Sequence, residues 1–340
     1  MLKLDFGDIP TWIAAIGSTS TLVFLIKQHF DNRKHDLAIW DEQKGVIRLE
    51  SLEKHRSLFT LLLKEIEDDK ESVSFKGVNF LYKRIFQKNG INSFFTKPPQ
   101  DHEHNSDYIF SQFEADLKAI GDSELYIYNN KDHQKVEGLF DALSVSKDKL
   151  NFEYTRKKCI GDALFQGKVS FNIFELDEHF KFTFNTVDTL RDFAGLNGIV
   201  LNFSVASYSY SPFCHKALYD CIEKAILQEE LKLISKNSYL SKWNIFEPYE
   251  GLFNFLVKLR KLINEINSYG NGIELQTLSF WDIKNEGFNN RDYSKPIREY
   301  LQNLSSEVIK MDKPAHIPYD MWMDLCVNMT EARKFENKLG

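Results

Sequence analysis

The sequence predicts an α+β protein. A single N-terminal transmembrane helix continues into an amphipathic helix, followed by a mostly helical cytoplasmic domain with a small antiparallel sheet. Three observations lead there. An uncharged run, Ile9 to Ile26, lies between Asp8 and Lys27. No proline interrupts the chain from Thr11 to Lys97, and helix formers dominate from Lys27 to about Lys70. In the middle of the chain, Phe-rich segments alternate apolar and polar residues, the period of a half-buried strand. The expected organisation is an extracytoplasmic tail at 1–8, a membrane helix at 9–27, a stalk helix at 28–70 and a cytoplasmic α+β domain at 71–340.

The membrane helix rests on length and polarity. At about 1.5 Å per residue the run Ile9 to Ile26 reaches about 27 Å, just short of a hydrocarbon core of roughly 30 Å. Leu22 to Ile26 is strongly apolar and Trp12 suits a membrane–water boundary, while Thr11, Ser18, Thr19, Ser20 and Thr21 weaken the run. A secretory signal is disfavoured, because Asp5 and Asp8 precede the run where positive charge is required. Lys27, Arg33 and Lys34 follow it, against Lys3 and the amino terminus before it. The positive-inside tendency then places the N-terminus outside and the rest in the cytoplasm, in a single pass through the inner membrane. The plainer alternative is a buried helix at the start of a soluble domain.

The stalk carries Leu49, Leu52, Phe59, Leu63 and Ile66 at 3–4 spacing, broken only by Arg56 in the same register, as one apolar stripe. That stripe suits either a coiled-coil seam between copies or packing on the protein's own body. Phe80 to Phe86 reads as a short helix ended by Asn89-Gly90, and Lys97 to Asn105 as a loop. A helix is expected from Tyr108 to Ile120 with Gly121 ending it, then a strand from Glu124 to Tyr128. Val169 to Phe174 and Phe180 to Phe184 read as two strands joined by a hairpin loop at Glu175 to Glu178. Ile199 to Val205 and Ile273 to Phe280 are further strand candidates. His215 to Ile234, Tyr249 to Ile266, Ser294 to Met311 and Tyr319 to Glu336 have helical spacing, with Glu247-Pro248 and Pro314 to Pro318 between them.

Composition narrows the classes of function. The chain has 340 residues, 28 of them Phe, with 16 Gly and 8 Pro, which excludes collagenous and wholly disordered types. A mean hydropathy of -0.38 excludes a multi-span transporter, and a net charge of -6 gives no general attraction to nucleic acid. No direct nucleic-acid binding is expected: Lys157-Lys158 and Lys258-Arg260-Lys261 lack the interleaved aromatics that single-strand binders use.

Candidate chemistry is sparse. Cys159, Cys214, Cys221 and Cys326 form no CxxC pair and fit neither a zinc ribbon nor a disulfide framework. Cys214-His215 suggests a nucleophile and base, although an ordinary buried cysteine accounts for it more simply. Asp101, His102, Glu103, His104 and Asp107 form the densest set of metal-ligand types, without the second cluster that a closed site needs. Asp188, Arg191 and Asp192 stand beside a turn and could line a pocket or simply face solvent. No phosphate loop, dinucleotide fingerprint, HExxH, GxSxG or kinase set occurs. The residues therefore define no catalytic, cofactor or metal site.

Thr11 to Gly17 running into a charged helix, then Leu58 to Ile66 and Gly77 to Tyr82, resembles the N-terminal organisation of bacterial membrane-anchored phage abortive-infection proteins. Some membrane effectors of that kind accompany retron reverse transcriptases. The resemblance covers about the first 90 residues and is architectural. It implies a non-enzymatic antiviral effector that senses a partner and perturbs the inner membrane. Its implied partners are the bilayer, a protein partner or further copies of itself, and a retron reverse transcriptase with its nucleic acid. Ser18 to Thr21 would then serve close helix–helix contact. The alternatives are a membrane-tethered nuclease or hydrolase, or an anchored scaffold.

Overall fold

The computed structural model describes residues 9–70, 72–90, 93–96, 106–197, 216–234, 243–246, 251–269, 275–287, 292–311, 313–314 and 317–339. The expected tail at 1–8, the loop from Lys97 to Asn105, the strand from Ile199 to Val205, Cys214, His215 and Glu247-Pro248 lie outside these residues.

Helix α1 runs unbroken from Ile9 to Asp69, 61 residues or about 90 Å. From Pro10 to Lys44 every side chain is exposed, so this half stands clear of everything else in the described structure. The lower half is held by the predicted stripe: Leu52, Phe59 and Leu63 are buried, and Ile66 packs against them. Of the two roles open to that stripe, packing on the protein's own body is the one observed.

The body is mostly helical, which corrects the expected α+β class. After α1 come β1 (Val73–Phe75), α2 (Val78–Ile85), α3 (Ser106–Asn130), α4 (Val136–Leu150), β2 (Phe152–Tyr154), β3 (Asp162–Phe165), β4 (Lys168–Asn172) and α5 (Leu176–Phe193). Then follow α6 (Lys216–Ile234), β5 (Trp243–Ile245), α7 (Leu252–Ser268), α8 (Phe280–Gly287), α9 (Ser294–Lys310) and α10 (Tyr319–Leu339). The strands form two small antiparallel sheets: β1 with β2, and a three-stranded sheet in the order β4-β3-β5.

Two predicted strands are helix. Gly121 does not end α3, because the buried positions Phe113, Leu117, Ile120, Glu124 and Ile127 continue the helical spacing through it. The alternation at Phe180, Phe182 and Phe184 lies on α5, where His179, Thr183, Thr186, Val187 and Leu190 supply the buried stripe. Glu175 caps that helix instead of turning a hairpin. The strand at Val169 to Phe174 is present as β4, but its hairpin partner is β3, joined through Gln166-Gly167. Both turn residues have positive φ (50° and 80°), the requirement of the tight hairpin turn that suits strand twist. Residues 275–279 are not strand either.

The transmembrane helix is also corrected. Among the described residues, no helix is long and apolar enough to cross a membrane. The physical reason lies in the hydroxyl residues and Pro10, which dilute the uncharged run before Lys27 closes it.

One contiguous core contains most of the buried Phe side chains. Phe140, Phe171 and Trp243 stack where α4 covers the three-stranded sheet, with ring centroids 5.0–5.7 Å apart. Phe174, Phe253, Phe280 and Tyr293 join that sheet to α7, α8 and α9. The high Phe count thus belongs to helix–helix and helix–sheet contacts, and only in part to alternating strands.

Candidate functional site

The arm of α1 is the surface in this structure that most needs a partner. Its far end has no charge, and Leu22 to Ile26 place large apolar side chains on every face of the helix. Their exposures run from 48% at Ile26 to 64% at Phe24, so no side of this stretch is covered. Contiguous exposed apolar surface of this extent marks a docking site for lipid or protein. The hydroxyls beside it are turned inward. Ser18 Oγ donates to the Ala14 carbonyl (2.8 Å), Thr19 Oγ1 to Ala15 (2.7 Å) and Thr21 Oγ1 to Gly17 (2.8 Å). Their donors are therefore spent within the helix, which lowers the polarity that this stretch presents outward.

The arm is rooted in an aromatic socket. His55 Nδ1 lies 2.9 Å from the Tyr82 hydroxyl, which also accepts from Asn89 Nδ2 at 3.2 Å. The hydroxyl and the imidazole thus share one hydrogen bond, whose direction follows the histidine tautomer. The His55 ring meets Phe86 edge-on and Phe193 at a tilt, both at 4.8 Å, and Phe59 packs on Tyr82 at 5.4 Å. Burial lowers the His55 pKa, which favours the neutral ring. Arg56, next in sequence, covers the face of Tyr82 at 5.4 Å.

A second polar cluster clasps the β3–β4 hairpin. Arg156 grips Asp162 with both guanidinium nitrogens, at 2.8 and 2.6 Å, and Asn172 Nδ2 donates to Asp162 Oδ1 at 2.9 Å. The Cys159 amide donates to the same carboxylate at 2.8 Å. Nearby, the Tyr154 hydroxyl donates to His179 Nδ1 at 2.8 Å, and His179 Nε2 faces the Leu143 carbonyl at 3.3 Å. That carbonyl can only accept, so Nε2 carries a proton, and burial, which lowers the ring's pKa to about 3, keeps it neutral. Burial pushes the Cys159 thiol up to about 12, with the Asp162 carboxylate adding to the effect. The cluster has the residue types of a nucleophilic site, yet a thiol so held stays protonated at neutral pH. Its evident work is to satisfy a buried carboxylate, since Asp162 is fully buried.

The residues singled out by sequence do not converge. Arg191 bonds Glu114 and the Asn197 carbonyl (2.9 Å), tying α5 to α3 rather than lining a pocket with Asp188 and Asp192. Lys157 and Lys158 are exposed, and Arg260 is engaged with Glu223 at 2.7 Å, apart from its exposed neighbours Lys258 and Lys261. Asp101 to His104 and the Cys214-His215 pair fall outside the described residues. Among the described residues no group of three metal-ligand side chains comes together.

Sequence reading missed an acidic groove of about 360 Å³ between α8 and α9, lined by Asp282, Glu286, Glu299, Tyr300, Asn303 and Glu307. The signal was present as 282/286 and 299/303/307, four-residue steps that place side chains along one face of each helix. Asp282 already accepts from the Ser279 amide (2.8 Å) and hydroxyl (2.6 Å), which fixes the start of α8. The groove could accept a cationic group, but nothing in its lining marks a reaction.

No family model, curated protein or solved structure matches this chain.

Proposed function

We propose that this protein is a membrane-associated effector. The α1 arm carries its action to a lipid surface, and the helical body holds the arm and engages a partner. One observation carries this reading: a helical arm about 50 Å long stands free of the rest of the described structure, and its described end is a run without charge. Leu22 to Ile26 are each about half exposed, so moving them out of water is worth on the order of 4–9 kcal/mol, at about 1.5–3 kcal/mol for a large side chain taken from full exposure to full burial. Lipid accepts such a surface on all sides at once, whereas a single protein groove covers one face. The uncharged run would enter the lipid, with Lys27 and the charges beyond it kept at the surface.

The antiviral setting rests on the resemblance of the first 90 or so residues to abortive-infection proteins. On that reading the body responds to a phage-triggered partner and the arm perturbs the inner membrane. Expression in bacteria, followed with a voltage-sensitive dye, tests it. Wild-type protein should depolarise the cells, and L22K/L25K should not. Toxicity that persists without depolarisation in the double variant would instead favour an enzymatic body.

A further inference from the structure

Below the tip, the arm carries a second apolar stripe that the body does not use. Phe30, Leu37, Trp40, Ile47, Leu58 and Leu61 occupy alternating 3- and 4-residue steps of one heptad frame, with Arg33, Lys44, Ser51 and Lys54 filling its other positions. Upstream, Trp12, Ile16, Val23 and Ile26 continue the same frame. All six are exposed, between 48% and 59%. Leu58 and Leu61 matter most, because they lie level with the socket. There Leu52, His55 and Phe59 turn to the body and are buried, while Leu58 and Leu61 turn away. The helix therefore has two apolar faces, of which the fold covers one.

We propose that this outer stripe is the seam of a parallel two-stranded coiled coil with a second copy of the chain. A 3.5-residue repeat kept over more than four heptads is the pattern that makes two helices wind together. The area is of the right size. Six half-exposed large side chains on each of two copies hide on the order of 1,000 Å², near the lower bound for stable pairs. Stems of the flanking charged residues extend the cover. Lys44 sits in a core position of the frame, and its ammonium reaches sideways to Asp41 at 3.7 Å, which keeps its charge beside the seam. Arg33, Lys44 and Lys54 weaken the pair but fix its register, as polar core positions do elsewhere. The parallel sense rests on the function proposed above: both tips then reach one lipid surface and both bodies stay at the other end.

The test uses the full chain in mild detergent. Sedimentation equilibrium should give a dimer at micromolar concentration, and L37K/W40K should raise the dissociation constant at least 100-fold while vesicle binding through the tip is retained. Conversely, L22K/L25K should lose vesicle binding and keep the dimer, so failure of the seam is distinguishable from failure of the tip. Orientation is read by oxidative cross-linking: I47C should form a disulfide dimer, and L49C, two residues away on the face turned from the seam, should not beyond the wild-type background. A monomeric wild type, or equal cross-linking at both positions, overturns the proposal.

Discussion

Replacing His179 by Gln should change how stability depends on pH far more than it changes stability at pH 7. His179 is 1% exposed, and burial, aided by the Lys70 charge, lowers its pKa to about 3 from 6.5. Because the folded value lies below the unfolded one, the neutral ring stabilises the fold fully above pH 6.5. That contribution is withdrawn as pH falls from 6.5 towards 3, at about 1.4 kcal/mol per pH unit, or between about 3 and 5 kcal/mol in all. Glutamine keeps an acceptor for Tyr154 but cannot titrate. At pH 7 the variant should be less stable by about 1–2 kcal/mol, the value of an imperfect buried hydrogen bond. The gap should then close and reverse between pH 6 and about 5, because only the wild type pays for protonation. Urea unfolding of both proteins at half-unit steps from pH 7.5 to 4 measures the difference directly. Glu124 and Glu223, which burial raises to about 7, act in the opposite sense but are shared by both proteins and cancel in the difference. Parallel stability curves across that range would refute the buried, neutral imidazole.

Other consequences follow from single contacts. Phe59→Ala should cost about 3–5 kcal/mol, since the ring is fully buried against Tyr82, Phe86 and Phe193, and hydrogen exchange should rise first around residues 52–63; protection unchanged there would remove the socket from the account. At pH 8 the Cys159 thiol should alkylate about a thousand-fold more slowly than an ordinary free thiol, because a pKa of about 12 leaves little thiolate. Peptide mapping after iodoacetamide gives that rate, and modification as fast as a model peptide's would contradict the clasp. Gly161→Ala should destabilise by at least about 2 kcal/mol in thermal unfolding: φ is +85° and the new Cβ would stand 2.5 Å from a Phe174 ring carbon. An unchanged melting temperature would mean the hairpin entry is looser than described.

Helices were legible in the C-terminal part, where the 3–4 spacing is long, whereas α4 went unread although Val136, Leu139, Phe140, Leu143 and Leu150 keep the same spacing. The predicted helices in the C-terminal part became α6, α7, α9 and α10 with ends shifted by a few residues, because each carries several turns of buried stripe. Short alternations were not decisive. Val169 to Phe174 and Phe180 to Phe184 look alike in sequence, and only tertiary contacts make the first a strand and the second part of α5. Gly121 was misread for a related reason: a buried glycine inside α3 is tolerated when the stripe on both sides of it packs. The Gln166-Gly167 turn was readable and was passed over.

The functional surface was half legible. The uncharged run near the N-terminus was conspicuous, but its hydroxyl content made a membrane crossing too strong an inference. The stripe at Leu52, Phe59 and Leu63 was found, while the second stripe at Phe30 to Leu61 was not. Two apolar frames on one helix look like general hydrophobicity until the body has covered one of them. The acidic groove and the Arg156–Asp162 clasp depend on segments brought together by folding, and no local pattern announces either.

The central claim is that the exposed end of α1 docks to lipid, and vesicle flotation tests it most directly. Full-length protein mixed with liposomes of bacterial lipid composition should rise with the vesicles through a density gradient. L22K/L25K should remain at the bottom with its body still folded by circular dichroism. If the double variant floats as well as the wild type, or if neither protein floats, the arm is not a lipid-docking element and the account fails.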